Sequence, residues 1–347
     1  MSETFPSGRW LWFLAVFLLG ACGSSGGNGG NGGNGGNDAG NGTDGGSLVT
    51  PTAPGWEALQ QMPIGLGETA VAAADGKIYV AGGYDTRAVF QIYDIATNTW
   101  TTGHGLLSGT DNAGAVASGG KVYVFGGEAT PVVQIYDVAA TTWAAGPNLP
   151  VDRFSSVVEE VNGAVHLVAG WSFSRTNNVS IASHTVFDLA SGTYPPGPFA
   201  DLGTARNHAY SGVIDGKIYL TGGRAPGHEG NDGNNIASTE VYDPGADAWS
   251  LVEDLPTPRS GGASAVLDGK LYVIGGQLPG NTVYKTVSRF DPATGHWEAL
   301  PDMPIELTGH RAVAVGNAIY VMGGFRTQGA VRQGFGGVPY VWKYTPP

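Results

Sequence analysis

Arg153, Arg206 and Arg259 each stand 16 residues before a pair of small residues: Ala169-Gly170, Gly222-Gly223 and Gly275-Gly276. Three guanidinium groups at equivalent positions could clamp a carboxylate or a phosphate through bidentate hydrogen bonds. The same spacing allows a plainer reading, in which the arginine belongs to a repeat and bonds to loop carbonyls. Arg224 directly follows Gly223, Phe325 and Arg326 follow Gly324, and Trp171 follows Gly170, so cationic and stacking groups gather at related positions. These seven residues are the candidate ligand-binding set. The seven histidines do not read as a metal centre. His166 falls within a strand, His296 lies beside Trp297 in a turn, and only His208 and His310 could face each other. A metal needs three or four convergent ligands, so none is expected. The segment His228-Glu-Gly-Asn-Asp-Gly-Asn-Asn235 is oxygen-rich but departs from EF-hand spacing, and reads as a solvated loop. No His-Glu-x-x-His, nucleophile elbow or P-loop is present, so no catalytic residue and no cofactor are assigned.

The elements that must position these residues recur six times. An aromatic residue is followed by a small pair 26 residues later in five units: Trp56 to Gly82, Trp100 to Gly126, Trp143 to Ala169, Trp249 to Gly275 and Trp297 to Gly323. In the remaining unit Tyr194 precedes Gly222 by 28. Each unit has a first strand, a turn such as Asp75-Gly76 or Asp268-Gly269, and a second strand such as Lys77-Ile-Tyr-Val-Ala81 that ends on the glycine pair. A third strand ends in Tyr93-Asp94, Tyr136-Asp137, Phe187-Asp188, Tyr242-Asp243 or Phe290-Asp291, and seven residues beyond each aromatic stands the fourth-strand Trp or Tyr. A fixed period built of short apolar strands predicts an all-β, six-bladed β-propeller over residues 55–347. The sixth unit shows no fourth-strand aromatic after Tyr344, while Trp56 is a fourth-strand element without preceding strands. The ring is therefore expected to close by Trp56 joining the C-terminal blade. The connection from glycine pair to third-strand aromatic is 11 and 10 residues in blades 1 and 2, and 18, 20, 15 and 21 in blades 3 to 6. Variable loops on a rigid frame place the expected site on the face carrying the 2–3 loops.

The glycine doublet with spaced Tyr and Trp resembles the kelch repeat across residues 56–347. Blade 3 departs most, with Ala169, His166 and Tyr194 in place of glycine, tyrosine and tryptophan. The resemblance implies a binding module that recognises a protein or a glycan. It also implies an alternative, because six-bladed kelch proteins of bacteria include sialic acid mutarotases, and Arg153, Arg206 and Arg259 resemble what a sugar-acid carboxylate needs. On that alternative the chain is a carbohydrate-active mutarotase or epimerase, although no catalytic residues of that group can be matched. Copper-radical oxidases of the galactose oxidase kind also use kelch-like propellers, with a cysteine cross-linked to tyrosine. The single cysteine here, Cys22, excludes that chemistry.

Cys22 follows a short n-region ending at Arg9 and the apolar run Trp10–Leu19, which is the length of a signal-peptide core. Leu19-Gly20-Ala21-Cys22 resembles the lipobox of bacterial lipoproteins, which implies residues 1–22 as signal and lipidation at Cys22. Gly23 in place of aspartate leans toward the outer membrane of the cell envelope. Residues 23–54 repeat Gly-Gly-Asn and offer no apolar surface to offset chain entropy, so they read as a tether. A formal net charge of −12 removes any general attraction to phosphate backbones, and nucleic acid is not an expected partner. The expected contact with a membrane is through the lipid alone, and the expected state is a monomer.

Overall fold

Each repeat folds into an antiparallel meander because its strands are short, alternate in burial and are separated by residues suited to tight turns. A computed structural model describes residues 53–84, 86–128, 131–173, 178–225, 234–278, 282–327 and 336–347. Cys22, the signal, nearly all of the 23–54 tether and most of the 228–235 loop fall outside the described residues. In blade 1 the strands Ala70–Ala74, Lys77–Ala81, Phe90–Asp94 and Thr99–Thr102 pair in sequence order. The first turn places Asp75 at φ 50° and Gly76 at φ 72°, the backbone of a two-residue hairpin whose twist matches its strands. Blades 2, 4 and 5 repeat the order, starting at Gly114, Tyr210 and Ala263.

Blade 3 is the least regular. It pairs Val157–Val161, Ala164–Val168 and His184–Asp188, and its outer edge shrinks to one bridge between Asp188 and Thr193. Its 2–3 connection builds an extra hairpin, Trp171–Phe173 with Asn178–Ser180. Blade 6 takes Arg311–Val315, Ala318–Met322 and Val341–Tyr344 from the C-terminal end and Trp56–Ala58 from the N-terminal end. Trp56 lies opposite Tyr344 and stacks on it with ring centroids 4.4 Å apart. The six-bladed ring closes as its sequence requires.

The aromatic pairs pack one sheet on the next. Tyr93 and Trp100 are 5.0 Å apart, Tyr136 and Trp143 5.2 Å, and Tyr242 and Trp249 5.0 Å. In blades 1, 2, 4 and 5 the indole N–H is satisfied by a carbonyl in the link that leads into its own blade. Trp100 donates to Gln60, Trp143 to His104, Trp249 to Ala200 and Trp297 to Glu253, at 2.9 to 3.0 Å.

Two rings of backbone hydrogen bonds join the blades. In the first, the N–H of the second residue of each small pair donates to the next blade. Gly83 reaches Thr110 O, Gly127 reaches Arg153 O, Gly170 reaches Arg206 O, Gly223 reaches Arg259 O, Gly276 reaches Leu307 O and Gly324 reaches Leu66 O, at 2.8 to 3.0 Å. This close approach of backbone accounts for the small residues of the pair. A Cβ on Gly222 would sit 2.7 Å from the same Arg259 carbonyl, so a side chain there crowds the contact, which blade 3 keeps at 2.8 Å with Ala169 in that place. The second ring surrounds the central channel. Glu68, Asn112, Ser155, His208, Gly261 and Gly309 occupy equivalent positions, all with φ between 51° and 66°. Each donates its N–H to the carbonyl of the preceding member, from Asn112 to Glu68 round to Glu68 to Gly309, at 2.6 to 3.0 Å.

Candidate functional site

The second ring marks the mouth of the channel on the face that carries the 2–3 connections. Four of its members bring polar side chains and two are glycine, so two thirds of the mouth is lined with hydrogen-bonding groups. Asn112 Nδ2 donates to Asp111 Oδ1 at 3.0 Å, and Ser155 Oγ lies 2.9 Å from Asn112 Oδ1 and 3.1 Å from His208 Nε2. With His208 Nδ1–H donating to Asn207 Oδ1, Nε2 is an acceptor, and the single Ser155 proton serves either neighbour. Burial, with Arg224 and Arg311 nearby, holds His208 well below the usual imidazole range, so the ring is neutral.

Charges at the mouth are compensated in pairs. Arg87 bridges Asp111 and Glu128, each at 2.9 Å, and so ties blade 1 to blade 2. Burial pushes the Asp111 carboxyl up to about 6, against the hydrogen bond from Asn112. Arg311 donates to Thr69 O at 2.8 Å and lies 3.4 Å from Glu68 Oε2. Arg87 and Arg311 are thus engaged by carboxylates and do not form an anion clamp at the mouth.

Arg153, Arg206 and Arg259 are at most 2% exposed. Each guanidinium is engaged by the second and third strands of its own blade and the residues that bound their connection. Arg153 donates to Leu167 O, Ser183 O and Thr185 Oγ1 at 2.9 to 3.0 Å. Arg206 donates to Gly222 O, to Ser238 O and Oγ, and to the Glu240 carboxylate, while Arg259 donates to Gly275 O, Val273 O and Ser288 Oγ. The clamp expected from their spacing is corrected: the three side chains do not converge on the mouth, because the carbonyls behind the glycine pair already occupy their donors. The sugar-acid reading loses its carboxylate-binding residues with them.

The other candidates divide. Trp171 is half-buried and stacks on Phe154 at 5.5 Å. Arg224 is largely buried, its Nε donating to Ser260 Oγ at 2.9 Å. Arg326 is exposed and lies 3.4 Å from Glu306. Phe325 is 1% exposed and offers no stacking surface, because its ring fills the space over Gly309, where a Cβ would come within 2.9 Å of it. His310 is buried and bonds Ile274 O at 3.1 Å, so it does not face His208 across the channel. His166 instead pairs with His184 at 2.9 Å, in the core beside Tyr242.

Sequence reasoning missed the mouth residues Glu68, Asn112 and Ser155. The signal was present, since all three stand two residues after the position that Arg153 marks in its own blade.

The family comparison agrees with this architecture. Residues 148–324 match the family described as the KLHDC2/KLHL20/DRC7 Kelch-repeats domain, and residues 67–103 match the Kelch motif. The chain belongs to the kelch-repeat family. Among curated proteins, this kelch propeller is 32% identical over 117 residues to the F-box/kelch-repeat protein At1g67480 of Arabidopsis thaliana, covering 34% of this chain and 29% of that one. It is 31% identical over 116 residues to beta-scruin of Limulus polyphemus, covering 33% of this chain and 12% of that one. It is also 29% identical over 103 residues to the influenza virus NS1A-binding protein homolog of Mus musculus, covering 30% of this chain and 15% of that one. The matched segments thus span less than a third of each relative. Among solved structures, YjhT superposes with a TM-score of 0.71 at 14% identity, covering 82% of this chain and 95% of that one, which establishes a shared propeller fold.

Proposed function

We propose that this kelch propeller is a protein-binding module that engages its partner through the face carrying the 2–3 connections and the links between blades. The observation that supports the reading is a rim of exposed apolar side chains on that face. Ile64, Leu107 and Val151 are 39%, 57% and 37% exposed, and they lie in the links entering blades 1, 2 and 3. The first two links are held rigidly. Gln91 and Gln134, both fully buried, each exchange two hydrogen bonds with a link: Gln91 with the N–H and O of Ile64, and Gln134 with those of Ser108, at 2.9 to 3.1 Å. Apolar groups presented on preorganised backbone lose little entropy on binding. The same proposal places the module at the bacterial envelope, held by a lipid on Cys22 through the 23–54 segment, as the lipobox-like sequence supports.

A photo-crosslinking amino acid placed at Leu107 tests the reading. Leu251, 72% exposed on the outer strand of blade 4, is the control. In envelope preparations Leu107 should give a discrete protein adduct that Leu251 does not. Equal labelling from both positions, or adducts with glycan alone, would refute protein recognition by this face.

A further inference from the structure

The inner strands enclose a channel of about 330 Å³, and past Arg311 at the start of its strand the wall carries polar side chains on one side only. The residue two places into each inner strand is Ala72, Val116, Gly212, Ala265 or Val313 in five blades, and Glu159 in blade 3. One place earlier, blades 4 and 5 carry Ser211 and Ser264, where blades 6, 1 and 2 carry Ala312, Val71 and Ala115. Ser211 Oγ donates to Glu159 Oε1 at 2.6 Å, and the Ser211 N–H donates to Ser264 Oγ at 2.9 Å. A carboxyl and two hydroxyls thus face three small apolar side chains across a cavity large enough for a small molecule.

The carboxyl lacks a counter-charge. Among the described residues, Ser211 is the only hydrogen-bond partner of Glu159. The other ionisable groups lining the channel are committed elsewhere: Arg311 to Glu68 and Thr69, and neutral His208 to Asn207 and Ser155. His166, directly across the strand pair from Glu159, bonds His184. A carboxylate held in a narrow channel without a cation is costly, and a ligand carrying the cation removes that cost.

We infer that the channel is a binding site for a small alkylammonium ion, with its charge on Glu159 and the hydroxyls of Ser211 and Ser264, and its hydrocarbon against Val71, Ala115 and Ala312. Burial pushes the Glu159 carboxyl up to about 7, so below neutrality the unliganded carboxyl holds a proton. Binding converts carboxyl and ammonium ion into a carboxylate–ammonium pair and releases that proton to solvent. Affinity should therefore rise with pH, by up to about tenfold per unit below 7, and level off above it.

Titration calorimetry of the full chain with n-butylammonium, using n-butanol as the neutral control, reads each element. The ammonium ion should bind saturably at one site. At pH 6.5 its heat should differ between buffers of unlike ionisation enthalpy, by the amount that proton release demands. Glu159→Gln, which keeps the shape of the protonated carboxyl, should weaken binding at least about tenfold. Equal binding of n-butanol, unchanged affinity in Glu159→Gln, or no saturable heat at pH 8 would overturn the assignment. Should that variant fail to fold, the buffer comparison on the natural chain decides alone: no released proton means no carboxylate–ammonium pair.

Discussion

Glu159 makes the pH dependence of stability a direct test of the channel's chemistry. Burial carries its carboxyl from 4.5 to about 7, against one opposing hydrogen bond from Ser211. At about 1.4 kcal/mol per pH unit, that rise is worth about 3 kcal/mol. The folded chain binds this proton more tightly than the unfolded chain does. The contribution is therefore fully present below pH 4.5, is lost as pH rises from 4.5 through 7, and is constant above. Glu159→Gln keeps the protonated shape and does not titrate. The stability of the variant minus that of the natural chain should climb from near zero at pH 4.5 to about 3 kcal/mol at pH 8. The difference is the proper quantity because other buried groups act in the opposite sense. His166 is lowered to about 4 and His310 to about 3, both mainly by burial, so each loses stability as pH falls below 6.5. Across pH 4.5 to 6.5 these effects offset that of Glu159 and flatten the raw profile. Urea unfolding at pH 5, 6, 7 and 8 on both proteins measures the difference. A line flat to within about 0.5 kcal/mol would show that Glu159 is solvated in the folded state, and the reasoning from its burial would fail.

Four further substitutions follow from the frame. Arg206→Ala leaves Glu240 buried without its cation and should cost about 3–5 kcal/mol in chemical unfolding, whereas a residue free to serve a ligand would cost under about 1 kcal/mol. Trp56→Ala removes the stacked ring that closes blade 6 and should cost about 3–5 kcal/mol; a loss below about 1 kcal/mol would mean the ring does not depend on that strand. Gly222→Ala and Gly269→Ala both force a side chain onto positive φ, but only the first meets a carbonyl, 2.7 Å away, while the second meets nothing within 4 Å. Gly269→Ala should cost about 1 kcal/mol in thermal unfolding and Gly222→Ala clearly more, and equal losses would remove the steric account of the glycine pair.

The fold was legible because its information is periodic. The Trp56-to-Gly82 interval, its four equals and the Tyr93-Trp100 offset state the blade count and the manner of closure without any side-chain geometry. The site was less legible, since equivalence in sequence does not say which way a side chain turns. Arg153, Arg206 and Arg259 stand in line with Leu66, Thr110 and Leu307, and that alignment favours a residue of the blade interior over one of the mouth. Phe325 follows its glycine pair as Trp171 does, yet one is buried over Gly309 and the other is half-exposed. Phe325 packs over Gly309 while Trp171 stacks on Phe154, and no interval in the sequence encodes that difference. The signature of Glu159 was a single column, in which one blade has a carboxylate where the others have small or apolar residues.

That column points to the general logic of the molecule. Six equivalent blades held by two rings of main-chain bonds would have a mouth and a channel with no preferred direction. Selectivity must enter where equivalence fails, and the failures are not scattered. Blades 3 to 5 supply the arginines, the channel's carboxyl and its two hydroxyls. The exposed apolar residues lie instead in the links entering blades 1 to 3. A partner on the loop face and a cation in the channel thus draw on different departures from one repeat. The backbone rings leave both free to vary, because neither ring uses a side chain. Exchanging Ser211 or Leu107 should consequently alter what is bound while leaving the ring closed.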